Sequence, residues 1–237
     1  MDLTSDEAAT KRAEVVRVYE LLAAAYGLPR REGRADPVGE LVGTIISQHT
    51  SDVNTDRAYA NLQATFGTWE AVRDAPVEAI ALAIKSAGLS NVKAPRLKAV
   101  LQTVTARYGR LDLSQLAAIP LDEAKKELMS LPGIGPKTAA CTLLFGFGLP
   151  AFPVDTHIFR VSRRLGLLPE GLSPDQAHEY LEPLVPPELV FPFHILLIRH
   201  GRRICQAQRP NCPECVLLYD CDYGRRALDV PPGARLP

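Results

Sequence analysis

Four cysteines near the C-terminus, Cys205, Cys212, Cys215 and Cys221, have the spacing C-x6-C-x2-C-x5-C. Four thiolates within seventeen residues can close a tetrahedral cage around an iron–sulfur cluster or a zinc ion. Structural zinc sites usually join two short C-x2-C knuckles, and this segment has one. The longer intervals of five and six residues suit a wider cubane. Spacing therefore favours a cluster and leaves zinc as the alternative. Disulfides are a third option. The chain opens on the polar, acidic run Met1-Asp2-Leu3-Thr4-Ser5-Asp6-Glu7, without a secretory n-region and h-region. It has no apolar run long enough to cross a bilayer. These features predict a cytoplasmic protein without membrane contact, in which clustered thiols are metal ligands. Cys141, in the apolar run Thr138–Phe145, reads as a small buried hydrophobe.

At 237 residues and 46% hydrophobic, the chain can bury one large core or two small ones. A formal charge of zero rules out a global basic signature of nucleic-acid binding. Charge is nevertheless uneven. Arg199, Arg202, Arg203, Arg209, Arg225 and Arg226 outnumber Glu214, Asp220 and Asp222 between Leu196 and Arg226. A second basic group comprises His157, Arg160, Arg163 and Arg164. Either could face phosphate or simply water.

The punctuation reads as helix after helix, about ten in all. Ser173-Pro174-Asp175-Gln176 combines a capping serine, proline at the first helical position and glutamine three residues after the cap. Pro76 opens a helix with Ile80 and Ile84 on its apolar face, ending near Gly88. Another starts at Asp122-Glu123, carries Leu128 and Met129, and halts before Leu131. Val42–Leu62 is helical, with Ser51-Asp52 as an internal start. No period-two alternation or Asn-Gly hairpin is present. The fold class is all-α, with a disordered tail over 231–237.

A second motif is Leu131-Pro132-Gly133-Ile134-Gly135-Pro136-Lys137-Thr138-Ala139. Gly133 and Gly135 permit a tight turn between helices, and the free amides there and at the next helix start form an anion-binding concavity. Such a contact reads phosphate and no base. A simple interhelical turn explains the glycines as well. Lys137 adds chemistry, and eighteen residues later Val154-Asp155-Thr156-His157 comes after an apolar helix over about 137–147. That helix could bring Asp155 back near Lys137, while Asp155 also reads as an ordinary N-cap.

These residues resemble the endonuclease III branch of the helix-hairpin-helix DNA glycosylases. The match covers Leu131–Leu165 and the four-cysteine loop, and Leu41–Leu62 more loosely. The resemblance implies a Schiff-base nucleophile at Lys137, a catalytic carboxylate at Asp155 and a 4Fe–4S cluster on Cys205, Cys212, Cys215 and Cys221. It implies a monomer acting on duplex DNA with damaged bases or abasic sites, associated with the nucleoid. The expected activity is excision of oxidised pyrimidines followed by β-elimination. Two helical domains would flank a DNA-binding cleft: a six-helix barrel with the hairpin over 38–149, and a cluster domain over 1–37 and 150–237. Gln48 or His49 would fill the gap left by an extruded base, and Leu89 would wedge the opposite strand. Gly133, Gly135, His157, Arg202 and Arg203 complete the DNA-contacting set. Ser90 and Pro136 depart from the aromatic and the arginine of some relatives, which puts substrate range in question. A lysine is neutral only once in ~2,500 molecules at pH 7, so a nucleophilic Lys137 needs desolvation or a nearby cation. Three other readings remain. An adenine-mismatch glycosylase generally lacks this lysine. A glycosylase for another lesion class would keep the scaffold, as would a non-catalytic DNA-binding or redox paralogue.

Overall fold

The computed structural model describes residues 4–30 and 36–231, so the tail from 232 onward lies outside it. In chain order the α-helices are α1 (Ser5–Tyr26), α2 (Pro37–Ser47), α3 (Asp52–Phe66), α4 (Trp69–Asp74), α5 (Val77–Ala83), α6 (Ser90–Tyr108), α7 (Leu121–Met129), α8 (Pro136–Cys141), α9 (Thr156–Leu165), α10 (Pro174–Leu181), α11 (Val190–Arg203) and α12 (Asp222–Ala227). No strand occurs among the described residues, and no helix is long and apolar enough to cross a membrane. The chain divides into two compact units, Gly33–Ala151 and Met1–Glu32 with Phe152–Pro237.

In the Gly33–Ala151 unit, α2 is buried on nearly every side, with Leu41, Val42, Ile45 and Ile46 fully enclosed. Around it pack Leu62 of α3, Ile80 of α5, and Leu97 and Leu101 of α6. Each such side chain contributes about 1.5–3 kcal/mol of apolar burial. The Val42–Leu62 stretch breaks where Ser51 caps α3, its hydroxyl accepting from Asn54 N. The helix opened by Pro76 runs on through a 3-10 turn, Lys85–Ala87, before Gly88 ends it. Of the two apolar residues near the end of α7, Leu128 is buried and Met129 is exposed. The expected helix over 137–147 keeps α geometry only to Cys141. A π-helical turn comes next over Thr142–Phe147, with Thr142 Oγ1 donating to Thr138 O and Leu149 N closing on Leu143 O. Such insertions widen the helix by one residue per turn. Cys141 is buried, as its apolar neighbours predict.

In the second unit, α1 packs on α11 through Val15, Val18 and Leu22. Ser173 and Gln176 form the expected capping box at the start of α10.

Candidate active site and cysteine centre

Three irregular segments of the Gly33–Ala151 unit meet α6. The first is the hairpin between α7 and α8. Gly133 is left-handed at φ 70°, and an added Cβ there would have to displace the Arg96 side chain, so a substitution would both strain the backbone and move Arg96. Gly135 differs from the expectation of a turn-forming glycine. Its φ of −98° suits any residue, and an added Cβ would meet nothing within 4 Å. Glycine there leaves an open face beside the first turn of α8, whose amides receive no side-chain cap. Lys137 is the second residue of that turn, half-buried, and Thr138 beside it is buried.

The second segment is Gln48–Ser51. Gln48 is held at both ends: Arg96 Nη1 donates to its Oε1 at 2.7 Å, and its Nε2 donates to Thr138 Oγ1 at 3.2 Å. His49 is exposed and left-handed at φ 55°. The third is the tip at Leu89, left-handed at φ 50° with a side chain 57% exposed. Leu89 occupies the N-cap of α6 and offers no capping side chain where Ser, Thr, Asp or Asn are preferred. Left-handed backbone at a non-glycine residue costs about 1–3 kcal/mol and persists only where surroundings enforce it.

In the other unit, Asp155 caps α9, its Oδ1 accepting from Ile158 N at 2.8 Å. The extended residues before it are pinned in turn. Phe152 N donates to Glu182 Oε2 and Val154 N to His178 Nε2, each at 2.9 Å, and His194 Nδ1 lies 3.0 Å from Pro153 O. Because Val154 N–H occupies His178 Nε2, the proton sits on Nδ1 and donates to Pro174 O at 3.0 Å. Burial holds the His178 pKa below its ordinary value, against the opposing pull of Pro174 O, Asp175 and Glu182. His157 does not stand free: its Nδ1 accepts from Arg160 Nη2 at 3.0 Å.

Cys205, Cys212, Cys215 and Cys221 all line one cavity, among Val161, Leu165, Ile204, Leu217 and Leu218, and none is in a disulfide. Burial raises the Cys212, Cys215 and Cys221 thiols, Cys215 to about 12, and the neighbouring cysteines push each of them further. Backbone amides oppose this rise, with Gly224 N donating to Cys221 Sγ at 3.3 Å. His200 Nε2 lies 3.6 Å from Cys215 Sγ, and its Nδ1 is 2.9 Å from Tyr26 Oη. Burial lowers the His200 pKa to about 4, so the ring is neutral. Among the described residues no three Cys, His, Asp or Glu side chains gather closely enough to chelate a single ion. Two arginines that could have faced phosphate are engaged here instead. Arg160 donates to Gly201 O and Cys205 O. Arg164 donates to Gln206 O, Ala207 O and Cys205 Sγ. Arg202, Arg203 and Arg209 stay exposed.

Known proteins share this sequence pattern. The profile described as HhH-GPD superfamily base excision DNA repair protein matches residues 42–187. The chain belongs to the HhH-GPD superfamily. Endonuclease III of Thermotoga maritima is 35% identical over 198 residues, 84% of this chain and 88% of its own. Endonuclease III of Escherichia coli K12 is 34% identical over 196 residues, 83% and 88% respectively. Among solved structures, a trapped endonuclease III–DNA covalent intermediate (an estranged-adenine complex) matches with a TM-score of 0.78 at 28% identity. It covers 92% of this chain and 98% of that one. A thermostable thymine-DNA glycosylase matches at 0.75 and 26%, with the same coverage.

Sequence reading of this HhH-GPD protein missed Arg96, His178, Glu182 and His194, all of which act on backbone or amide groups rather than within a motif. It also missed Lys93. One signal was available there. Lys93 falls on the buried stripe of α6 with Leu97, Val100 and Val104, a position where a charge is rare.

Proposed function

We propose that this base excision repair protein is a DNA glycosylase and abasic-site lyase that removes oxidised pyrimidines from duplex DNA. Lys137 carries the reading: a half-buried amine in the first turn of α8, directly after an uncapped glycine hairpin. The hairpin amides would hold a phosphate and so fix the strand. A base stacked in a duplex hides C1′, so the nucleotide must first be extruded, at about a few kcal/mol. His49, exposed on its left-handed turn, fills the vacated space and Leu89 wedges the opposite strand. Gln48, tied to Arg96 and Thr138, supports that turn.

Lys137 Nζ then attacks C1′ as the bond to the base breaks, leaving an imine between the chain and the opened sugar. Loss of a proton from C2′ breaks the C3′–O bond and nicks the strand 3′ to the lesion. Hydrolysis returns the free amine. Asp155, aimed by its capping bond, stabilises the cationic sugar and assists proton transfer.

Cys205, Cys212, Cys215 and Cys221 would hold a 4Fe–4S cluster. Four cysteines lining one cavity, with intervals of six, two and five residues, support the cubane reading. The cluster's contribution there is a cross-link through four thiolates. Arg202 and Arg203 supply phosphate contacts beside it.

Borohydride trapping on a duplex with one oxidised pyrimidine tests the mechanism. A covalent adduct is expected with wild type and none with Lys137→Ala. An adduct with the variant would overturn the nucleophile. No adduct with either would indicate a binding protein that keeps the scaffold without the chemistry.

A further inference from the structure

Lys93 is the one lysine or arginine fully buried among the described residues, at 2% exposure, and it takes no part in the chemistry above. It is the fourth residue of α6, and its side chain folds back toward the helix start. Nζ donates to Ile46 O at 2.8 Å and to Ala87 O at 2.9 Å. Ile46 lies in the last turn of α2, and Ala87 ends the 3-10 turn after α5. Carbonyls at helix ends lack a further helical N–H and carry the negative end of the dipole. One ammonium therefore closes two helix ends from separate parts of the chain.

The residues just beyond the two carbonyls give the contact its meaning. Three residues beyond Ile46 is His49, and two beyond Ala87 is Leu89. They are two of only three non-glycine residues with left-handed backbone among the described residues. Conformations of this kind survive only where neighbours over-determine them. Lys93 supplies the bond upstream of both. Among the described residues no carboxylate pairs with it, so its charge is divided between the two turns.

We propose that Lys93 is a positioning residue that locks the His49 turn to the Leu89 turn, so that both side chains enter the duplex together as one rigid fork. The proposal rests on the reading of His49 as gap-filler and Leu89 as wedge. Its consequence is that Lys93 serves base extrusion more than it serves the later lyase step, since an abasic site has no base to extrude.

The test uses full-length, cluster-loaded protein and a duplex with one oxidised pyrimidine beside 2-aminopurine, which brightens when stacking is lost. Lys93→Met keeps the length and removes the donors. Brightening and single-turnover excision should both fall about 100-fold, a scale reached by ångström-level misplacement, while cleavage at a preformed abasic site falls less than about tenfold. Equal losses in both assays would overturn the proposal, because a merely structural role lowers them together. A second measurement needs no Lys93 variant. In an otherwise wild-type chain, His49→Ala and Leu89→Ala combined should lose much less than the product of their separate effects. Multiplicative losses would overturn the coupling. If neither single change alters brightening, the reading of the loops itself falls, and the fork with it.

Discussion

The turns carried by α6 and the cysteine loop over 205–221 are both irregular, yet they are held in opposite ways. The turns are gripped from inside the protein. Lys93 and Arg96 reach out from α6 and donate to Ile46 O, Ala87 O and Gln48 Oε1, so their shape is set by the same core that folds the Gly33–Ala151 unit. The cysteine loop is gripped from outside, by Arg160 and Arg164 on its carbonyls. At its centre stand Cys215 and Cys221, whose thiol pKa values burial raises. One region is organised by folding. Under the proposed cofactor reading, the other would be completed by ligation, which couples metal uptake to order.

Under the proposed cofactor reading, the strongest way to break that contrast is to remove the cluster. Oxidative stripping, or Cys215→Ser, should expose 204–221 to proteolysis while the Gly33–Ala151 unit keeps its protection. Structural metal sites contribute on the order of 10 kcal/mol, which sets the scale of the loss. A stripped protein whose cysteine loop stays protease-resistant would place both regions in the same class.

A smaller effect separates the two hairpin glycines. Gly133→Ala should cost about 1–3 kcal/mol, from left-handed strain and displacement of Arg96. Gly135→Ala, in ordinary backbone and open space, should stay within about 0.5 kcal/mol. Thermal melts of the two variants decide it, and equal midpoints would show that Arg96 does not brace the hairpin.

The gentlest test is pH. His178 is held neutral by burial, so its folded pKa lies below the unfolded value of about 6.5. Its contribution is intact above that value. As pH falls through it, the unfolded chain takes up the proton first and stability declines. Protonation would place a hydrogen on Nε2 against Val154 N–H. Denaturation midpoints at pH 7.5 and 5.5 should therefore converge in His178→Gln relative to wild type. An unchanged difference would assign the slope to other groups.

Much of this was legible in the sequence, because the motifs are local. The capping box at Ser173, the cap at Asp155, the internal start at Ser51 and the proline that opens α8 each act within a turn of themselves. Lys93, Arg96 and His178 were not legible as anchors. Each reads as an ordinary helix residue until the fold brings distant carbonyls and amides within reach. The π-helical turn after Cys141 escaped for a related reason: its apolar run suits either helix, and only Thr142 back-bonding and the closure at Leu149 choose between them. Charge alone left the basic group at 157–164 open between phosphate and water, and only the fold shows Arg160 and Arg164 reaching carbonyls.

The three bonds on Phe152, Pro153 and Val154 have a consequence in entropy. Fixing one residue's backbone costs about 1–2 kcal/mol, so three held residues represent roughly 3–6 kcal/mol of lost freedom. That loss is taken once, when the chain folds. Under the proposed mechanism, the Asp155 carboxylate reaches the cationic sugar with its approach already decided, and the reaction barrier carries none of it.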